Sequence, residues 1–188
     1  MSADRSAQSF DAIYVQEFPF VWRSLRGLGV REGELDDAAQ EVFVTVHRRL
    51  STFRGESTIR TWLFGIVRNV AFKHRRQLAR KPTTAEAPAA EPLQPGPSPL
   101  ERAQDKEAAA FVQRFLADLN DKKRELFVLA VLEEMNIVEV AAALSIPLNT
   151  AYTRLRSVRA DFQKALARRR GAEQRLDDRF RDRFNDPS

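Results

Sequence analysis

Lys81 to Leu100 reads KPTTAEAPAAEPLQPGPSPL and holds six of the chain's nine prolines. Proline fixes φ, lacks an N–H and pushes the residue before it out of the helical region, so this stretch is expected to be an extended linker that no folded core absorbs. Helix-like, basic sequence flanks it on both sides. The expected architecture is therefore all-α, with two small helical domains at residues 1–80 and 101–168 joined by a proline-rich linker at 81–100. At about 3.1 Å per residue the linker would reach about 60 Å. Two basic surfaces on such a tether suit a long, charged partner such as DNA better than a small substrate.

Composition points the same way. The 188 residues are 43% apolar, enough for helical cores but without a run long enough to span a membrane, and the formal net charge is +5. Placement of the charge says more than its sum. Arg68, Lys73, Arg75, Arg76, Arg80 and Lys81 fall together with no acid among them, and Arg154 to Arg170 is interrupted only by Asp161. With no cysteine, disulfides, thiol catalysis and Cys-type zinc sites are excluded, and His47 and His74 stand too isolated to build a metal or triad site. No catalytic residue, metal or cofactor is expected, and the chain is read as a non-enzyme. Residues 1–30 lack the apolar core of a secretory signal, so a cytoplasmic location without membrane insertion is expected.

In the N-terminal half, breaks fall at Gly27 to Gly29, Ser51 to Ser57 and Pro82. Within Asp36 to Leu50, the residues Ala39, Val42, Phe43, Val46 and Leu50 follow the spacing of one buried stripe. Asp37, Gln40, Glu41, Val44 and Arg48 then lie on the opposite face. Asp36 as a cap and Asp37 at the positive end of the helix dipole would explain the acids without any partner, and that alternative stays open. A loop, Ser51 to Thr58, leads into a helix expected from Ile59 to Gln77. Its inner stripe is Ile59, Leu63, Ile66, Val67 and Val70. Thr61, Gly65, Arg68, Phe72 and Arg75 point outward, with Trp62 and Asn69 on the flanks. An outward aromatic among arginines is how unpaired bases are held, by stacking on rings and pairing of phosphates with guanidinium groups. Trp62 also suits a core anchor.

The C-terminal half reads as helices at Leu100 to Leu119, Asp121 to Glu134 and Ile137 to Leu144, then a turn at Ser145-Ile146-Pro147 and a basic helix from near Asn149. A short helix, a tight turn and a longer basic helix is the helix-turn-helix pattern, which sets its second helix in the DNA major groove. Ala151, Leu155, Val158, Phe162 and Leu166 form its buried stripe. Asn149, Tyr152, Thr153 and Arg156 face out near its start, where base edges are read, and Arg154 and Arg159 flank toward phosphates. An ordinary helical corner is the plain alternative.

Asp37-Ala38-Ala39-Gln40-Glu41-Val42-Phe43, Phe53-Arg54-Gly55, Thr61-Trp62-Leu63 and Arg68-Asn69 resemble region two of the extracytoplasmic-function group of bacterial RNA polymerase sigma factors. Ile137 to Leu155, including Ile146-Pro147-Leu148-Asn149-Thr150 and Arg154-Leu155, resembles region four of the same group. The resemblance implies a sigma factor that binds core RNA polymerase and directs promoter-specific initiation. It implies that Asp37, Gln40, Glu41, Val44 and Arg48 dock on the clamp coiled coil of the largest subunit, and that the second domain meets the polymerase flap. It assigns Phe53, Arg54, Thr61, Trp62, Arg68, Asn69, Phe72, Arg75 and Arg76 to recognition and opening of the minus-ten element. Asn149, Thr150, Tyr152, Thr153, Arg154, Arg156 and Arg159 are assigned to the minus-thirty-five element. An anti-sigma protein is a further candidate partner.

The chain also departs from the pattern. Members often carry Gly at the position of Asn149 and a Val-Lys pair where Ala151-Tyr152 stands. Asn is a strong helix cap, so the fold is kept, but Tyr152 replaces a cation on the reading face and the base preference is expected to shift. Residues 169–188 lie beyond the resemblance. Leu176, Phe180 and Phe184 make one weak stripe, and mixed charge at a terminus favours a disordered tail. Two other classes remain open on the residues alone. One is a helix-turn-helix regulator that never meets polymerase, which leaves Asp37, Gln40 and Glu41 without a role. The other is an acid-rich enzyme using Glu133 and Glu134, whose side chains would point about 100° apart on a helix.

Overall fold

A computed structural model describes residues 9–78 and 99–184, leaving aside the side chains of 99–104, 173 and 176–184. All regular structure among them is helical. The expected linker lies outside the described residues except for Pro99 and Leu100, which already belong to a helix.

Three helices form the first half: α1 (Phe10–Gly27), α2 (Leu35–Arg49) and α3 (Ile59–Leu78), each packed on the other two. Ser9 caps α1, its hydroxyl accepting from the Ala12 N–H at 3.2 Å, and satisfies one of the donors a helix start leaves unpaired. The stripe in α2 is buried as its spacing requires, at Ala39, Val42, Phe43 and Val46. Leu35 and Ala38 are buried too, because α2 is covered from two sides. Asp36 does not cap: α2 opens one residue earlier, and Asp36 and Asp37 both lie in its first turn, where their charge favours the dipole. In α3 the inner stripe also takes in Phe64 and Ala71, while Ile59 is half-buried. Thr58 starts this helix, its hydroxyl accepting from the Thr61 N–H at 3.3 Å.

The second half holds α4 (Pro99–Asp118), α5 (Asp121–Phe127), α6 (Ile137–Ala143) and α7 (Leu148–Phe184). Phe115, Phe127 and Phe162 interlock α4, α5 and α7, with ring centroids 5.0–5.2 Å apart. The buried Arg124 closes the end of α4 by donating to the carbonyls of Leu116, Ala117 and Leu119 at 2.8, 3.1 and 2.9 Å. The carbonyls at a helix end lack the usual partners of the next turn, and the guanidinium supplies donors there, sharing the Leu116 carbonyl with the Leu119 N–H at 3.2 Å.

Three details differ from the sequence reading. The helix expected over Asp121 to Glu134 is α5 followed by a π-helical turn, Val128–Leu132, that seats Val128 against Gly27 of α1. A left-handed Glu134 at φ 51° ends it. Leu148 opens α7, so Asn149 stands inside the first turn and not at the cap. The expected disordered tail instead continues α7 to Phe184, with residues 185–188 outside the described set. Its early part is held from α4: Arg169 pairs with Glu107 at 2.8 Å and lies over the Phe111 ring at 5.3 Å.

The two halves meet. α1 and α3 face the π-turn and α6, and one buried apolar core runs from Ile13 through Val158. Gly27 permits the closest approach, since a Cβ there would come within 2.7 Å of a Val128 methyl.

Candidate nucleic-acid interface

On α2, Asp37, Gln40, Val44 and Arg48 are exposed on one face, as the spacing predicts. Glu41 is not free on that face. Its carboxylate accepts from Lys73 Nζ at 2.7 Å and lies 3.3 Å from His74 Nε2, while the other ring nitrogen of His74 lies 3.4 Å from Glu34. Burial pushes the Glu41 carboxyl up, but Lys73 and His74 outweigh it and hold the group below the ordinary carboxylate range.

Beside the exposed face of α2 opens an apolar cleft of about 560 Å³ between α1 and α2. Tyr14 sits 4.6 Å from Phe43, centroid to centroid, and Phe18 stacks on Phe43 at 6.0 Å. Gln40, Val44 and Arg48 share its rim. Tyr14 and Phe18 were missed by the sequence reading. The signal available was an aromatic at each fourth position, Phe10, Tyr14, Phe18 and Trp22, which is more than one buried stripe needs.

The residues expected at the minus-ten element divide into two groups. Phe53 leans on Trp62 with centroids 5.2 Å apart, both half-buried, and Arg54 and the left-handed Gly55 extend the exposed loop beside them. Trp62 packs against the core, which is the anchor alternative. The Thr61 and Thr58 hydroxyls bond at 2.9 Å. Further along α3, Asn69, Phe72 and Arg76 line one shallow groove with Lys73 and Gln77. Arg68 and Arg75 bracket the Phe72 ring, with their guanidinium carbons 5.4 and 5.7 Å from its centroid.

The basic run of this helix carries no acid of its own, and other helices supply counter-charges to three of its residues. Arg68 donates to Glu125 at 2.8 Å, Arg75 to Asp121 at 2.7 Å, and Lys73 to Glu41. Two of the three carboxylates come from α5, more than forty residues along the chain. Burial raises the Glu125 carboxyl above its ordinary range, even with Arg68 pulling it down. Arg23 of α1 grips the buried Glu133 with two bonds, at 2.9 and 2.6 Å. Glu133 is thus a structural anion with a fixed cation partner, and Glu134 points away into solvent.

These shifts have opposite consequences for acid stability. Glu41 has a depressed folded pKa, so its contribution is present above the ordinary carboxylate value of 4.5 and is lost as pH falls through the folded value. Glu125 has a raised one, so the cost of burying its charge stands above that value and is relieved as pH falls. Glu41→Gln should therefore flatten the loss of thermal stability between pH 5 and 3, and Glu125→Gln should steepen it, in melts followed by circular dichroism. The same slope in both variants would contradict this assignment.

In the helix-turn-helix, Asn136 caps α6 by accepting from the Val138 N–H at 2.9 Å, and Ser145 takes a left-handed φ of 52° to turn the chain into α7. Asn149, Tyr152, Thr153, Arg156 and Arg159 are exposed along α7, and Thr150 and Arg154 are half-buried. The Thr153 hydroxyl donates to the Asn149 carbonyl at 2.9 Å, so its proton is used within the helix. Arg156 and Arg159 have no ion pair among the described residues, in contrast to Arg60, Arg68 and Arg75 of α3.

Comparison with known proteins fits this geometry. Residues 13–81 match the model of sigma-70 region 2. The chain is 28% identical over 141 residues to the RNA polymerase sigma-H factor of Pseudomonas aeruginosa, covering 71% of this chain and 73% of that protein. It is 28% identical over 134 residues to the ECF RNA polymerase sigma-E factor of Escherichia coli K12, covering 67% and 70%. Two solved structures share the fold. The structure of CnrH in complex with the cytosolic domain of CnrY gives a TM-score of 0.64 at 24% identity, covering 84% of this chain and 87% of that one. The sigma factor RpoE in complex with the anti-sigma factor NepR from Bartonella quintana gives 0.65 at 21%, covering 84% and 96%. The region 2 match spans the first half of the chain, and the relatives the chain resembles over about two thirds of its length are RNA polymerase sigma factors. The chain is a transcription initiation factor that binds core RNA polymerase and directs it to promoters, and it is not itself an enzyme. Among the described residues no helix is long and apolar enough to cross a membrane.

Proposed function

We propose that the two halves divide promoter recognition between them, the first docking on the polymerase clamp coiled coil and opening the minus-ten element, the second reading the minus-thirty-five element beside the flap. The observation that carries this is the pairing of two unlike surfaces in one chain. α3 presents an aromatic ring between two guanidinium groups, suited to unpaired bases, and α7 presents exposed Tyr152, Arg156 and Arg159 after a tight turn, suited to a groove. The alignment of 141 residues with the Pseudomonas factor is longer than the first half, which supports a region-four role for the second. On α2, exposed Asp37 and Gln40 beside the aromatic cleft offer polymerase both charge and apolar area. RpoE is described in complex with the anti-sigma factor NepR, and an anti-sigma protein is a further proposed partner here.

Binding energy, not covalent chemistry, would drive the opening. Unstacking a base costs a few kcal/mol, and stacking on an aromatic returns about 1–3 kcal/mol per base with phosphate contacts added. Phe53→Ala and Arg75→Ala should then slow melting of a duplex promoter and matter less on a template already opened by mismatches. Equal defects on both templates, in variants of unchanged thermal stability, would argue for packing alone. For the second half, Arg156→Ala should cost roughly 1–3 kcal/mol mainly on preferred duplex sequences, whereas Arg159→Ala should weaken all sequences alike and reduce the salt slope. If Arg156→Ala leaves the ranking of sequences untouched in a binding selection, that residue does not read bases.

A further inference from the structure

The first turns of α7 present apolar side chains where a groove-reading helix reaches deepest. Leu148 is 40% and Tyr152 53% exposed, while Ala151 and Val158 turn into the core. Four residues apart, Leu148 and Tyr152 stand on one face of the helix, and Arg156 and Arg159 continue the same stripe. The stripe changes character along its length: apolar at the end that meets base edges, cationic where the helix leaves the groove and phosphates come near. No acid falls between Leu148 and Ala160, so the field along this stretch attracts DNA throughout.

The Tyr152 side chain makes no hydrogen bond or ring contact among the described residues, so it is available to a partner. Thr153 beside it has given its hydroxyl proton to the Asn149 carbonyl at 2.9 Å and brings no free donor. In the major groove the acceptors and amino groups of the bases need a polar partner, and the C5-methyl group of thymine needs an apolar one. Leu148 can match only the methyl. The exposed carboxamide of Asn149, at the next position, suits N6 and N7 of adenine, which belongs to the same base pair as thymine.

We infer that Leu148 and Tyr152 form an apolar reading edge that selects thymine through its C5-methyl group. The inference rests on the minus-thirty-five reading of α7 and names the base chemistry which that reading uses. Position 152 sets the choice, because an arginine there would instead offer two donors to O6 and N7 of guanine.

The test separates the methyl group from the rest of the base. The full chain, assembled with core polymerase, selects duplexes from a library randomised across the upstream element. The enriched duplex is then remade with deoxyuridine in place of each thymidine in turn; uracil pairs as thymine does and lacks only the methyl. At one or two positions the parent should bind the uracil duplex about fourfold more weakly, the factor that one buried methyl group supplies. Tyr152→Ala should bind thymine and uracil duplexes alike at one of these positions, and Leu148→Ala should do so at its neighbour. Tyr152→Phe keeps the ring and should keep the preference. Tyr152→Arg should move the selected base from thymine to guanine. Both sites are exposed, so every variant should melt as the parent does.

Thymine and uracil duplexes bound alike by the parent at every position, with Arg159→Ala still weakening both, would overturn the inference and leave the minus-thirty-five reading intact. A loss of preference in Tyr152→Phe equal to that in Tyr152→Ala would put the contact on the hydroxyl and overturn it as well. Weaker association of Tyr152→Ala with core polymerase in the absence of DNA, at unchanged base selection, would assign the apolar edge to a protein partner and overturn the methyl contact. Duplex binding indifferent to Arg156→Ala and Arg159→Ala together would overturn both readings and locate the error in the assignment of α7 to DNA.

Discussion

Phe127→Ala will cost the second half about 3–5 kcal/mol, enough to unfold it in part at ordinary temperature. Phe127 is 1% exposed and touches Phe115 of α4 at 5.1 Å and Phe162 of α7 at 5.2 Å, so truncation opens a cavity where three helices meet. No neighbour can refill it without giving up its own contact, which puts the cost at the upper end for a buried aromatic. Urea denaturation followed by circular dichroism measures it. Val138→Ala, at an exposed site on α6, should stay within about 0.5 kcal/mol and serves as the control. A loss below about 1 kcal/mol for Phe127→Ala would mean that the three rings do not form the common core described.

Reversing Asp37 to Arg and truncating Gln40 to Ala will weaken core polymerase binding by about 2–4 kcal/mol, a drop in affinity of roughly thirtyfold to a thousandfold. Both residues are exposed and make no side-chain hydrogen bond or ion pair among the described residues, so helicity and thermal stability should hold. The effect is large because a charge attracted to a basic surface becomes one repelled by it. Glu41 should contribute less directly, since Lys73 and His74 already hold its carboxylate, and Glu41→Gln should loosen α3 as much as docking. Tyr14→Ala should add its own loss if the aromatic cleft receives an apolar side chain of the partner. Affinity for core polymerase unchanged by the Asp37 and Gln40 variant, at normal helicity, would remove α2 as the docking face.

Helix periodicity made much of this legible. The stripes of α2 and α3 predicted their buried residues closely, because a helix packed on one side repeats its apolar positions at a fixed spacing. The turn into α7 was legible from Ser145-Ile146-Pro147, since proline cannot continue the preceding helix. Ion pairs across the halves were not. Arg23 and Glu133 stand 110 residues apart and Arg68 and Glu125 57 apart, and no local pattern specifies a partner at that separation. The sequence reads Arg68 as a contact for DNA and Glu133 as one of a pair of acids, and only the fold shows each held by a partner of opposite charge. The extension of α7 past Arg168 was hidden for a related reason: a mixed-charge sequence has little apolar periodicity to read, and its anchors, Glu107 and Phe111, lie on α4. The break of α5 into a π-turn depends on Val128 meeting Gly27, a contact between halves that sequence spacing does not encode.

Run-off transcription with purified core RNA polymerase on genomic DNA fragments tests the central claim most directly. The account predicts discrete transcripts that start at a limited set of sites, appear only when the chain is added to core, and vanish with the Asp37→Arg and Gln40→Ala variant. Transcripts no different from those of core polymerase alone, from a chain that is folded and present in excess, would contradict it.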